Sequence, residues 1–373
     1  MLRFHPLTLS ARSRTADDAV HITFDVPAEL RDDYRFEAGQ HVAVRALLDG
    51  VEQRRTYSII NPPGSGRLEL GIRVQSQGAM SRFLAERVRV GDTIEVLTPN
   101  GSFHPAAEPG RARWCVAFAS GSGISPVLSI AATVLEREPL SRFQLFYGNT
   151  SIARTMFVDE LMALKNRYLT RLSVHFIMSR EPQDLEVFNG RLDSAKVREL
   201  ARGMFDPGSV DEYFICGPGS MIHDIQGVLA ELGVKARVHA EHFTAEGETA
   251  AHAASVTAET TPGPRPVAAP SPVPAASADA TIATVTVIMD GRRRTFPVTA
   301  SDEFVLDAAG RAGLDLPYSC RAGVCSTCRA KLVRGTVELE NNVALEDWEL
   351  EAGYILCCQA RPTSPELEIT YDQ

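Results

Sequence analysis

The chain has 373 residues, more than one ordinary core organises, so two or three domains are expected. Its 44% hydrophobic and 23% charged residues describe a soluble globular protein, and no apolar run approaches the length of a membrane span. The net charge of −9 argues against non-specific nucleic-acid binding, because no basic face is left to neutralise phosphates, and it fits electrostatic docking to a partner.

The first stretch, MLRFHPLTLSARSRTADD, carries arginines and few acids, as a transit peptide does. From Phe4, however, it alternates like a strand and runs into HITFDVP without a cleavage-like break, so folded structure is expected there. Residues 1–110 continue as short β-rich runs (AVHITFDV, HVAVRALL, RTYSII, LELGIRV, DTIEVLTP) separated by Gly, Pro and Asp turns. Strands so spaced predict an antiparallel barrel, with MSRFLAERV as its one helix.

Over residues 111–244 the pattern becomes strand–helix alternation. WCVAFAS leads through GSGISP into an apolar helix. Then come FQLFYG, helix FVDELMALKNRY, strand LSVHFIMS, helix KVRELARG, strand EYFIC and helix MIHDIQGVLAELG. This predicts a doubly wound, mostly parallel sheet. Residues 245–280 contain no Leu, Ile, Met, Phe, Tyr, Trp or Cys and cannot offset the cost of ordering. They are expected to form a flexible Pro/Ala-rich linker spanning roughly 30 Å. In residues 281–373, TVTVIMDG and RRTFPVTA read as a hairpin and EFVLDAAGRAG as a helix. A cysteine-rich loop, KLVRGTVELE and a last strand ELEITYD follow.

With no secretory segment, the seven cysteines point to a reducing cytoplasm, where metal or redox roles outweigh structural disulfides. Cys320, Cys325 and Cys328 give C-x4-C-x2-C, the plant-type 2Fe–2S spacing, which needs a distant fourth cysteine. A zinc ribbon would usually show two C-x2-C pairs, and a zinc finger needs histidines, none of which follows His252. The small side chains of Ala322, Gly323, Ser326 and Thr327 would let backbone N–H groups approach cluster sulfurs. Cys357 and Cys358 both compete to be the fourth ligand; neighbours on an extended segment point to opposite sides, so one alone can face the cluster. Cys115 has no motif and reads as core. His5, His21, His41, His104, His175, His223, His239, His242 and His252 show no ligand spacing, and none is assigned a metal.

Other motifs recur in a fixed order. Arg55-Thr56-Tyr57-Ser58 precedes Arg73-Val74 and then Gly78-Ala79-Met80-Ser81 at a helix start. Gly121-Ser122-Gly123-Ile124-Ser125 follows a strand and opens a helix, the context in which dinucleotide phosphates bind. Ser179-Arg180-Glu181 follows LSVHFIM, Cys216-Gly217-Pro218-Gly219 ends EYFIC, and HAEHF supplies Glu241 and Phe243 before the linker.

In this order the motifs resemble the ferredoxin–NADP reductase superfamily. The resemblance implies that Arg55 pairs with flavin phosphates, that Tyr57 packs on the isoalloxazine and that Ser58 sits near its reactive nitrogen. Thr56, Arg73, Val74 and Met80 count among the same flavin residues. The helix opening at Gly78 and Ser81 would offer N–H groups to the pyrophosphate. Gly121, Gly123 and Ser125 would cradle the dinucleotide, and Cys216 with Gly217 would lie against the nicotinamide. Glu241 and Phe243 would close the flavin site, which makes Ser58, Cys216 and Glu241 the candidate catalytic residues. Ser179 and Arg180 resemble the 2′-phosphate site and favour NADPH; Glu181 could instead take ribose hydroxyls.

The C-terminal domain resembles plant-type ferredoxins, which implies an α+β β-grasp fold. Gly353-Tyr354-Ile355-Leu356-Cys357-Cys358 matches their Gly-x-x-Leu-x-Cys tail, and that match implies Cys358 as the fourth ligand. Taken whole, the chain resembles the reductase components of multicomponent oxygenases. GVCSTCRAKLVRGTVELENNVALEDWELEAGYILCCQA is most similar to the phenylacetyl-CoA epoxidase type, and the steroid 9α-hydroxylase type shares the architecture. The implied function is electron transfer from NADPH through FAD and a 2Fe–2S cluster to a partner oxygenase, expected to be di-iron. FMN in place of FAD, and a stand-alone diaphorase, are the alternatives. Glu338, Glu340, Glu346, Asp347, Glu349 and Glu351, with no Lys or Arg between them, read as a solvated face and as part of a docking surface.

Overall fold

The computed structural model describes residues 2–105, 108–243 and 280–372; of the expected linker, all but Ala280 lies outside the described residues. The chain parts after Phe243 into two compact units. Among the described residues no helix is long and apolar enough to cross a membrane.

The first unit opens with six antiparallel strands: β1 (Phe4–Ala16), β2 (Ala19–Asp25), β3 (His41–Leu48), β4 (Val51–Ser58), β5 (Arg67–Arg73) and β6 (Thr93–Leu97). Their order is β4-β3-β6-β1-β2-β5. The ends close through a bridge between Ile59 and Leu70, with the Ile60 N–H donated to the Glu69 carbonyl at 2.9 Å, which makes a barrel. Inward residues such as Leu7, Leu9, Phe24, Val42, Val44 and Leu70 are fully buried in its core. The turn Asp49-Gly50, at φ 51° and 81°, joins β3 to β4. Left-handed conformations at both turn positions match the strand twist and set the register, which ends with His41 opposite Ser58. MSRFLAERV does not form one regular helix. A single turn, α1 (Ala79–Arg82), passes into a π-helical turn at Phe83–Arg87.

The parallel sheet consists of β7 (Trp114–Ser120), β8 (Arg142–Asn149), β9 (Leu172–Met178), β10 (Glu212–Gly217) and β11 (Arg237–His242), in the order β11-β10-β7-β8-β9. Helices α2 (Ile124–Arg137) and α3 (Val158–Arg167) bury apolar residues on one face. On the other face α4 (Ser194–Gly203) and α5 (Gly219–Glu231) do the same, so the sheet is doubly wound. Phe157, fully buried at φ 61°, ties this sheet to the barrel by donating its N–H to Thr15 Oγ1 at 2.8 Å. Gly71 leaves room for its ring, since a Cβ there would lie 2.7 Å from it.

The second unit holds β12 (Thr281–Met289), β13 (Arg292–Thr299), α6 (Val305–Arg311), β14 (Arg329–Arg334), β15 (Val337–Leu339), α7 (Asp347–Glu351), β16 (Tyr354–Leu356), β17 (Ala360–Pro362) and β18 (Glu366–Thr370). A mixed sheet β13-β12-β18-β14-β16 packs on α6, with β18 parallel to β12. This is a β-grasp arrangement, and its cysteine loop lies between α6 and β14.

Candidate functional site

Two strand pairs meet where the barrel faces the parallel sheet. His41 and Ser58 are cross-strand partners on β3 and β4, and Cys216 and Glu241 are partners on β10 and β11. The Ser58 hydroxyl donates to Glu241 Oε2 at 3.3 Å, and Cys216 Sγ lies 4.0 Å from the same oxygen. The other oxygen, Oε1, is 3.6 Å from His41 Nδ1. Ser58, Cys216 and Glu241, far apart in sequence, are thus brought together, and His41 joins them without having been singled out. Burial, reinforced by the neighbouring Glu241 carboxylate, pushes the Cys216 thiol well above its ordinary range. A thiol so disfavoured from ionising is a poor nucleophile.

The Gly121–Gly123 turn presses against this junction. A Cβ on Gly123 would sit 2.1 Å from the Cys216 carbonyl oxygen, and Gly121 is left-handed at φ 57°. The Ser125 hydroxyl at the start of α2 is buried and has no hydrogen-bond partner among the described residues. A cavity of about 530 Å³ opens at the carboxyl ends of the parallel strands, lined by Arg73, Gly121, Arg154, Ser179, Arg191 and Asp224 among others. This is the crevice in which open α/β sheets hold nucleotides, and the left-handed Gly121 turn with three arginines on its wall fits a dinucleotide there.

Arg73, on β5, lines this cavity. Its guanidinium donates to both Asp18 oxygens, at 2.7 and 2.9 Å, and to the Arg154 carbonyl at 2.8 Å. Ser179 lines the cavity while Arg180 is exposed. The Glu181 carboxylate accepts the Ile152 N–H at 2.8 Å, capping the turn that carries Arg154. Arg154 and Arg191 were not legible as site residues, because neither stands in a spaced motif. On β4, Arg55, Thr56 and Tyr57 are half-buried, with Arg55 donating to the Arg54 carbonyl at 2.8 Å. Met80 is fully buried in the barrel core and Val74 is half-buried. Gly78 precedes α1, whose Ser81 hydroxyl donates to the Gly78 carbonyl and accepts the Gln75 N–H. Phe243 donates its N–H to Gly217 O at 3.3 Å.

In the second unit, Arg321, Gly323 and Ser326 adopt left-handed φ of 56°, 76° and 51°, which winds the loop between Cys320 and Cys328. Gly323 lies so close to Asn341 that a Cβ would be 2.6 Å from its carbonyl oxygen. The Ala322 N–H donates to Cys320 Sγ at 3.3 Å. Hydrogen bonds from the Cys325 and Cys358 thiols, followed by the Ala322 and Val324 N–H groups, draw the Cys320 thiol well below its ordinary range against the opposing effect of burial. Cys358 in turn contacts Cys320 and Cys328. Cys357 points elsewhere: it is fully buried, which pushes its thiol up, and its side chain meets Tyr371. A donor set of four converging thiols with backbone amides aimed at sulfur fits an iron–sulfur cluster. In the acidic run, Glu349 is fully buried and paired with Arg329, and Glu340 is held by Arg361 at 2.6 Å.

Three family models divide the chain in the order these sites take. An oxidoreductase FAD-binding domain matches residues 6–104, an oxidoreductase NAD-binding domain residues 118–227, and a 2Fe-2S iron-sulfur cluster binding domain residues 287–363. Fold and sites together define an NAD(P)H-dependent flavin and iron–sulfur oxidoreductase. A 1,2-phenylacetyl-CoA epoxidase subunit from Escherichia coli K12 is 38% identical over 373 residues, covering 100% of this chain and 99% of that protein. The 3-ketosteroid-9-alpha-monooxygenase ferredoxin reductase component of Rhodococcus rhodochrous is 32% identical, covering 98% and 96%. The chain belongs to this family of oxygenase reductase components, within the ferredoxin–NADP reductase superfamily. Among solved structures, phthalate dioxygenase reductase superposes at a TM-score of 0.53 with 21% identity, covering 98% of each chain, and shares the fold.

Proposed function

We propose that this chain takes electrons from NADPH and delivers them to the oxygenase component of a phenylacetyl-CoA epoxidase, a di-iron enzyme of the cytoplasm. The observation that carries this reading is the 38% identity, over an alignment that covers the whole chain, to a protein of such an epoxidase. When bound, nicotinamide, flavin and cluster supply a conversion of two-electron into one-electron transfer. The chain supplies the binding and orientation. Arg55, Thr56, Tyr57 and the Gly78–Ser81 turn hold the flavin. Ser58, Cys216, Glu241 and Phe243 shape the hydride-transfer junction, with Gly217 at the nicotinamide. Cys320, Cys325, Cys328 and Cys358 hold the cluster.

The preference for NADPH is supported by the cavity. Ser179 lines it together with Arg154 and Arg191, and Arg180, next in the chain, is exposed. Guanidinium groups suit a 2′-phosphate, and one oxygen of the Glu181 carboxylate, the group that could take ribose hydroxyls instead, already accepts the Ile152 N–H. Reconstitution tests the reading: the purified chain is mixed with the other proteins of a phenylacetyl-CoA epoxidase, and NADPH oxidation is followed with and without phenylacetyl-CoA. Oxidation coupled to epoxide formation is expected. Coupling only to a steroid or ring-hydroxylating oxygenase would overturn the partner, and faster turnover with NADH would overturn the nucleotide.

A further inference from the structure

His41 sits at the junction with a seat built for it. Its backbone exchanges two hydrogen bonds with Asn100, at 2.9 and 3.0 Å. The next residue, Gly101, is at φ 119°, and a Cβ on it would lie 2.9 Å from His41 Nδ1. The side chain is 6% exposed, and Nε2 is buried with no hydrogen-bond partner among the described residues. Leaving a polar atom so is costly, and a catalytic role is one of the reasons such a cost is kept. On its Nδ1 side the ring faces Glu241, whose carboxylate is itself largely buried at 13% exposure.

We propose that His41 is the positioning residue of the hydride-transfer junction. Its imidazole holds Glu241 Oε1, and so fixes the other oxygen where it receives the Ser58 hydroxyl and faces the Cys216 thiol. This rests on the reading of the junction as the flavin–nicotinamide site. A glutamate carboxylate, carried on three rotatable bonds, is held in one orientation best when both oxygens are engaged. Ser58 engages one, and His41 Nδ1 is the polar atom that faces the other. The 3.6 Å separation is longer than a hydrogen bond, and catalytic hydrogen bonds that are long in the free enzyme often tighten when substrate is bound.

The test is a double-mutant cycle on the full-length holoprotein, reading the limiting rate of flavin reduction by NADPH in anaerobic stopped flow. His41→Phe keeps ring bulk without a nitrogen, His41→Asn keeps a donor near the Nδ1 position, and Glu241→Gln removes the charge that His41 faces. His41→Phe should slow reduction on the order of tenfold to a hundredfold with nucleotide affinity unchanged, and His41→Asn should recover most of the loss. The double variant His41→Phe/Glu241→Gln should be no slower than Glu241→Gln alone. Additive losses, or an unchanged rate in His41→Phe, would overturn the proposal. A second readout needs no turnover: the ring-nitrogen resonances of His41, assigned from their loss in His41→Asn, should move in Glu241→Gln. Unmoved resonances overturn the proposal even if His41→Phe folds poorly. If neither NADPH nor NADH reduces the wild-type flavin, the reading of the junction fails. Normal wild-type reduction with additive losses removes only the role of His41.

Discussion

Cys357 and Cys358 share a chain segment but not an environment. Cys358 meets Cys320 and Cys328, whereas Cys357 turns to Tyr371. Cys357 also donates its N–H to the Cys328 carbonyl and accepts from Leu306, so its backbone supports the loop while its thiol does not join it. Cys358→Ser should therefore lose most of the iron and the visible cluster absorbance, and Cys357→Ser should keep both; iron content and absorbance of the purified variants check this, and the reverse pattern would move the ligand. At Gly123 the obstacle to a side chain is backbone, 2.1 Å away, and cannot rotate aside. Gly123→Ala should cost about 1–3 kcal/mol or more and weaken NADPH binding, measured by melting temperature and nucleotide titration. The sequence showed Ser58, Cys216 and Glu241 through their motifs, but it hid His41 among nine histidines without spacing. One signal was available: a two-residue Asp49-Gly50 turn fixes β3 and β4 in a register that sets His41 opposite Ser58.

At the scale of elements, the amino end of the parallel sheet carries its own ionic network, opposite the nucleotide cavity. Arg113 forms a two-bond pair with Glu138, both bonds at 2.9 Å, and also meets Glu212, which is 2.6 Å from His239. Burial alone would raise the Glu212 carboxyl, but His239 and Arg113 outweigh it and hold it below the usual range. A carboxyl depressed on folding contributes its stability above the unfolded value of 4.5 and loses it as pH falls through the folded value. Glu212→Gln should thus destabilise the first unit by about 3 kcal/mol near neutrality, with the gap from wild type closing in acid, as followed by thermal unfolding across pH. Strands and helices with a clear period were legible in the sequence. The strand β11 was not, because RVHAEH is a sheet-edge strand, mostly half-buried, with charged and histidine residues in place of alternating apolar ones. Nor was the π-helical turn after α1, since its apolar spacing reads as an ordinary helix.

At the scale of the molecule, the chain is two compact units, with flavin and nucleotide residues in one and the cluster loop in the other. Ending the chain after Phe243 should leave nucleotide-driven flavin bleaching intact and abolish electron delivery to the oxygenase, measured as coupled product formation. The acidic run offers a partner a smaller surface than its sequence promises. Glu349 is buried against Arg329 and Glu340 is paired with Arg361, which leaves Glu338, Asp347 and Glu351 exposed. The central claim is that electrons entering from a nicotinamide pass the flavin and reach the cluster. Anaerobic titration of the full chain with NADPH, followed by visible absorbance and by electron paramagnetic resonance, tests it most directly. Flavin absorbance should bleach and the signal of a reduced 2Fe–2S centre should grow, and the Cys358→Ser chain should show the bleaching without the signal. A flavin that NADPH leaves oxidised, or one that bleaches while an intact cluster stays oxidised, would contradict the account.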